Sequence, residues 1–359
     1  MNIEDLHSSN WAGVCYLTGG GSRLLSQLLS VSGASATILD AQIPYSYEAL
    51  GRLLGSKPEQ ACSESTARRL AMKAFINAQS LGSENELFGL GVTASLSTNR
   101  QKRGAIRAFV ALQTLNRSQV SILEFSHSKT REEQEATLAQ VAYVKLCFGL
   151  ELSSDSYPNC RTQTAIAQES HSRLFKAEPF ALGARKRAYL PGAFNPLHAG
   201  HRQMLALSEE LLRCEVQYEL SVKNVDKLPL DYFDLNQRVN QFKSDELVLT
   251  NLPHFFSKAK HLSDGKDITF ALGIDTFARI LEPKFYETGE QLVDVINYFV
   301  GLKTRFLVFG RTIENEFRTL KDLSIPANLR PLCQQVDAAQ FQCDLSSTTL
   351  RAKSSSPVL

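Results

Sequence analysis

Tyr189-Leu190-Pro191-Gly192-Ala193-Phe194-Asn195-Pro196-Leu197-His198-Ala199-Gly200-His201 decides the reading of this chain. A short apolar run leads into a glycine and proline turn. Two histidines then stand where an amphipathic helix over 202–213 begins. The first N–H groups of a helix lack partners inside it, so a helix start is a ready anion site. Gly192 has no Cβ and is expected to let a ligand approach the main chain. His198 and His201 are three residues apart, share one face of a first helical turn, and can both donate to one phosphate.

Working outward, the pattern alternates strand and helix. Strands are expected at 216–222, 247–250, 267–274 and 305–309, with helices over 231–242 and 276–281. Upstream, strands are expected at 13–17, 36–43, 87–92, 105–112 and 120–125, with helices at 24–29, 63–78 and 131–148. Ser63 is placed as an N-cap, and a glycine turn, Thr18-Gly19-Gly20-Gly21-Ser22, can cradle a phosphate before its helix. Periodicity weakens over 152–187, where a turn-forming run and a short helix at 164–175 are expected. The organisation expected is α/β throughout: an α/β layer domain at 1–151, a linker region at 152–187, and a doubly wound parallel sheet at 188–359.

The chain has 359 residues, 43% hydrophobic and 21% charged, enough for ordinary cores in two domains. Its net charge of +2, from 39 basic and 37 acidic residues, gives no case for a broad nucleic-acid or anionic-membrane surface. The cysteines, Cys15, Cys62, Cys147, Cys160, Cys214, Cys333 and Cys343, form no C-x-x-C pair. Their odd number argues against a zinc knuckle or a complete disulfide framework, and no metal ligand set is assigned. With an acidic, polar beginning and no long apolar run, the default location is the cytoplasm.

The stretch 189–201 resembles the HxGH signature of the nucleotidyltransferase superfamily, which includes the nicotinamide and nicotinate mononucleotide adenylyltransferases. Asp344-Leu345-Ser346-Ser347-Thr348-Thr349-Leu350-Arg351 is similar to the superfamily's second signature. The resemblance implies a Rossmann-like fold for 188–359 and transfer of AMP from MgATP to a mononucleotide. Gly192, Ala193 and Phe194 would line the ATP site. His198 and His201 would steady the transferred phosphate. Ser346, Ser347, Thr348 and Arg351 would hold the departing pyrophosphate. On the acceptor side the resemblance points to Lys227 over Lys223, to Phe255 or Phe256 against a pyridine ring, and to Asp275 at a Gly-x-Asp strand end. Phe255 and Phe256 read equally as core residues, Asp275 as a helix N-cap, and Arg311 as a phosphate contact or a surface ion pair. Phosphopantetheine adenylyltransferases and cytidylyltransferases share both signatures and are the enzyme alternatives; a catalytically silent nucleotide-binding regulator is the alternative of another class. A homo-oligomer is compatible with the sequence.

In the first half, Leu17-Thr18-Gly19-Gly20, Tyr45-Ser46 and 61–67 resemble motifs of the competence-damage-inducible protein C-terminal domain, a nicotinamide-nucleotide amidohydrolase in active members. This chain departs from them. Tyr16 stands where the family has its nucleophilic serine, Leu50 where it has a lysine, and Gly91-Val92-Thr93-Ala94-Ser95 where it has a glycine-rich loop. A tyrosine without a basic neighbour stays protonated, so loss of deamidase chemistry is expected.

Overall fold

The structure is a computed structural model, and it describes residues 2–82, 86–99, 104–155, 157–243, 245–285, 291–313 and 316–343. The described residues gather into two compact units, one from 2–172 with 226–233, the other from 173–225 with those from 234 to 343. Both are mixed α/β. No described helix is long and apolar enough to cross a membrane.

The first unit is built on a six-stranded sheet. Its strands are β1 (Trp11–Thr18), β2 (Ile38–Gln42), β3 (Glu86–Ser95), β4 (Arg107–Thr114), β5 (Arg117–Glu124) and β6 (Cys160–Ile166), ordered β2-β1-β3-β4-β5-β6. β2, β1 and β3 run parallel, and β3 to β6 form antiparallel pairs. β1 is buried almost throughout, as a parallel strand covered on both faces must be. Its helices are α1 (Ile3–His7), α2 (Ser22–Leu29), α3 (Ala34–Thr37), α4 (Tyr47–Leu54), α5 (Glu64–Leu81), α6 (Arg131–Gly149) and the single turn α7 (Glu169–Ser172). Ser63 caps α5 by accepting the Thr66 N–H at 3.1 Å, as the sequence predicts. α5 lies close on β3 because Ala67 and Ala71 face Gly89 and Gly91. A Cβ at Gly91 would stand 2.3 Å from the Ala67 carbonyl oxygen.

The expected linker over 152–187 is different. It contains β6, a strand of the first sheet; of the short helix expected at 164–175, residues 164–166 belong to β6 and 169–175 are helical, as α7 and a 3-10 turn. β6 is an edge strand with a single buried residue, Ala165, so it carries no apolar alternation to reveal it.

The segment 226–233 also belongs with the first unit. Both oxygens of Asp231 accept from the Arg68 guanidinium at 2.6 Å, and the Phe233 ring lies 4.9 Å from the Arg68 guanidinium carbon. The Tyr232 N–H donates to Ser118 Oγ at 3.0 Å, and its hydroxyl to the Leu115 carbonyl.

The second unit holds β7 (Ala181–Leu182), β8 (Ala188–Pro191), β9 (Val216–Ser221), β10 (Leu247–Thr250), β11 (Thr269–Gly273), β12 (Arg305–Phe309), the hairpin β13 (Arg311–Ile313) and β14 (Glu316–Arg318), and β15 (Cys333–Val336). Its helices are α8 (Ala199–Leu212), α9 (Tyr232–Val239, whose first two residues lie in the first unit), α10 (Phe255–Leu262), α11 (Ile274–Ile280) and α12 (Leu292–Gly301). The main sheet is ordered β15-β12-β11-β8-β9-β10-β7. Only β7 runs antiparallel; the other six strands are parallel. Counted along the chain, those six lie in the order 6-5-4-1-2-3. The winding therefore reverses between β8 and β11, and the quoted stretch begins with β8. Crevices at such reversals, beyond the C-terminal strand ends, are where open parallel sheets bind ligands.

Candidate functional site

β8 ends at Pro191, and the turn that follows is held from several sides. The Gly192 N–H donates to the Glu219 carbonyl at 3.0 Å. Phe194 is buried with φ +45°, a left-handed conformation that is costly for a residue with a side chain. Its ring stands edge-on to His201, Tyr218 and Phe242 with centroids 5.1–5.2 Å away. Residues at and just beyond the end of α9 clamp the backbone. Arg238 donates to the Ala193 carbonyl at 3.1 Å, Gln241 donates to the Phe194 carbonyl at 2.9 Å, and Gln241 Oε1 accepts the Leu197 N–H at 2.7 Å. A Cβ at Gly192 would meet the Phe194 ring at 2.6 Å, so the missing side chain makes room for Phe194.

α8 begins beside this turn, with His198 as its N-cap residue. The His198 and His201 rings stack with centroids 3.7 Å apart and planes 24° apart. The His198 N–H donates to His201 Nδ1 at 3.3 Å. That bond occupies the Nδ1 lone pair, so the neutral His201 ring carries its proton on Nε2 and presents a donor there. Burial lowers the His201 pKa to about 4, with help from His198. Burial also lowers that of His198, with Arg311 adding to the effect. Both rings are neutral at pH 7. His198 Nδ1 is buried with no hydrogen-bond partner among the described residues.

Asp275 and Arg311 follow the ends of β11 and β12. They pair with each other at 2.8 Å, each about two-fifths exposed. The carboxylate expected near a ribose and the guanidinium expected near phosphate thus neutralise one another in this structure.

The remaining candidates divide. Ser346, Ser347, Thr348 and Arg351 lie outside the described residues. The chain leading to them is described: Phe341 packs edge-on to Phe309 at the end of β12, centroids 5.0 Å apart. Cys343 lies against Gly200 in the first turn of α8, its sulfur 2.7 Å from where a Cβ would stand. Lys227 lies in the segment grouped with the first unit, whereas Lys223 is in the second, its ammonium donating to the Lys176 carbonyl at 2.8 Å. Phe255 and Phe256 open α10 and pack on the core. Phe255 is edge-on to Phe270 at 5.3 Å, and Phe256 to Tyr298 at 4.8 Å.

A buried cluster that the sequence pattern does not announce stands beside the turn. Glu219 on β9 is wholly buried and accepts from Lys258 of α10 and from Thr250 of β10. The available signal was one acid inside the otherwise apolar Val216-Gln217-Tyr218-Glu219-Leu220.

In the first unit the expected phosphate cradle is filled from within. Gly21, at φ +90°, donates its N–H to Glu135 Oε2 at 2.7 Å, so the anion at the start of α2 is the chain's own carboxylate. Tyr16 is buried, and its hydroxyl is held by Asp40 and Asn77. Burial and Asp40 push its pKa up to about 12, so it stays protonated. Leu50 packs beside it with Leu54, Leu70 and Ala74. Where the resembled family has a base, this chain has core.

No family model and no curated protein matches the chain. Solved structures of competence/damage-inducible proteins are similar to part of it. That of CihA from Agrobacterium tumefaciens is 19% identical, with 40% of this chain and 89% of that one covered, at a TM-score of 0.33. That from Enterobacter asburiae is 17% identical over 42% and 92%, at 0.34. A third, from Klebsiella pneumoniae subsp. pneumoniae MGH 78578, is 15% identical over 42% and 98%, at 0.33. The reading of the second unit rests on its own geometry.

Proposed function

We propose that the second unit is a Rossmann-like nucleotidyltransferase domain that moves AMP from ATP to nicotinamide or nicotinate mononucleotide. One observation carries the reading. A stacked, neutral histidine pair stands at the start of a helix, beside the winding reversal of a parallel sheet. A helix N-terminus and two imidazole donors suit a phosphate more than any other small ligand. Phe341 and Cys343, among the last described residues before the second signature, lie against Phe309 and Gly200.

In the proposed reaction the mononucleotide 5′-phosphate oxygen attacks the α phosphorus of ATP. A new P–O bond forms, the bond to the bridging oxygen breaks, and pyrophosphate leaves. No covalent enzyme intermediate is required, and the protein contributes position and charge. His201 Nε2–H and His198 donate to the reacting phosphate, while 346–351 hold the leaving group. Magnesium enters with ATP, as counterion of the triphosphate. The pyridine mononucleotide is taken as acceptor on the Gly273-Ile274-Asp275 strand end; Phe255 and Phe256, packed on the core, lend it no support.

The test is dinucleotide and pyrophosphate formation from MgATP and either mononucleotide, with thermal shift against ATP, CTP, both mononucleotides and phosphopantetheine. ATP and a pyridine mononucleotide are expected to raise the melting temperature. Stabilisation by CTP or phosphopantetheine alone would overturn the substrate. His201→Ala is expected to lower turnover about 10²–10³-fold, the scale of one lost preorganised donor. Unchanged turnover would remove His201 from the site.

A further inference from the structure

Glu219 on β9 is bonded to the elements on both of its sides, the turn after β8 and the end of β10. Its main-chain carbonyl accepts the Gly192 N–H at 3.0 Å, fixing the turn before the histidines. Its carboxylate is wholly buried and is bound from β10 and α10. One oxygen accepts from Lys258 Nζ and the other from Thr250 Oγ1. The Lys258 side chain is itself only 7% exposed. The two partners bracket the loop between β10 and α10. Thr250 Oγ1 accepts the Leu252 N–H at 3.3 Å, and Lys258 stands in the first turn of α10, its N–H making the ordinary helix bond to the His254 carbonyl at 2.9 Å.

Apolar residues of the same volume could fill this space without removing two charges from water. Buried ion pairs often add little net stability, and their best-attested use is to fix one arrangement among several. We propose that Glu219 and Lys258 are positioning residues that set the spacing between the turn at Gly192 and the loop 251–256. The assignment of ATP to the turn and the mononucleotide to the loop rests on the adenylyltransferase reading; the spacing device does not.

The test replaces the pair with apolar groups, Glu219→Leu with Lys258→Met, in the full chain. Three quantities are measured: melting temperature, amide hydrogen exchange across 251–256, and KM for each substrate. The melting temperature is expected to hold. Exchange across 251–256 is expected to rise about tenfold, as is KM for the mononucleotide, with KM for MgATP unchanged, since a loop displaced by a fraction of an ångström loses alignment. A stable variant with wild-type exchange overturns the proposal. If the double variant fails to fold, Thr250→Val removes one grip and leaves the ion pair. It should speed exchange at the Lys258 N–H as well as at Leu252, and an effect confined to Leu252 overturns the proposal. Faster loop exchange in a protein whose wild type makes no dinucleotide would leave the spacing device standing and remove the adenylyltransferase reading.

Discussion

His201 has a folded-state pKa near 4 against an ordinary value of 6.5. Between those values the unfolded chain binds the extra proton, so it gains as the pH falls. The stability His201 contributes is complete above pH 6.5 and is lost as pH drops through 4. The melting temperature should fall across that window, and His201→Gln should flatten the fall; equal slopes in the two proteins would exclude His201 as its source. Leu50 supports a second residue-scale prediction. It is 1% exposed among apolar neighbours. Leu50→Lys, which restores the residue type of the resembled family, should cost several kcal/mol by burying an unpaired charge. No ammonia should be released from nicotinamide mononucleotide by the wild-type chain, since Tyr16 remains protonated; measurable release would refute this.

At the scale of elements, the clamp from α9 is the feature to probe. Gln241→Ala removes both the acceptor for the Leu197 N–H and the donor to the Phe194 carbonyl. It should cost about 1–3 kcal/mol and speed exchange at Leu197, read by denaturant unfolding and hydrogen exchange. Elements with a strong local pattern were legible in the sequence. β8 and α8 stand where the glycine turn and the apolar stripe put them, α5 begins at the expected cap Ser63, and α6 covers the residues expected for it. Others were hidden for physical reasons. β6 shows no alternation because water covers most of it. α10 follows Asn251-Leu252-Pro253-His254, whose turn-forming residues mask a helix of eight. The two histidines were legible by spacing. The Glu219–Lys258 pair was not, because its partners come from separate elements that only the sheet order brings together.

For the whole molecule, the hydrophobic clusters divide as the units do. Residues of β1, β3, β4 and α6 fill one, and residues of β11, β12, α11 and α12 another. Separate cores can melt separately. Calorimetry should resolve two transitions: Leu50→Lys should lower one, and MgATP should raise the other. A ligand shift on the transition that Leu50→Lys lowers would place nucleotide binding in the first unit. The segment 226–233 has a further consequence. Because Asp231 completes the buried partner of Arg68, and Tyr232 that of Ser118, a polypeptide cut after residue 172 lacks part of its own packing. Neither unit can be transplanted into another protein by a single splice. Gene fusion at one point can join two finished modules, but this chain passes back through the first after the second has begun.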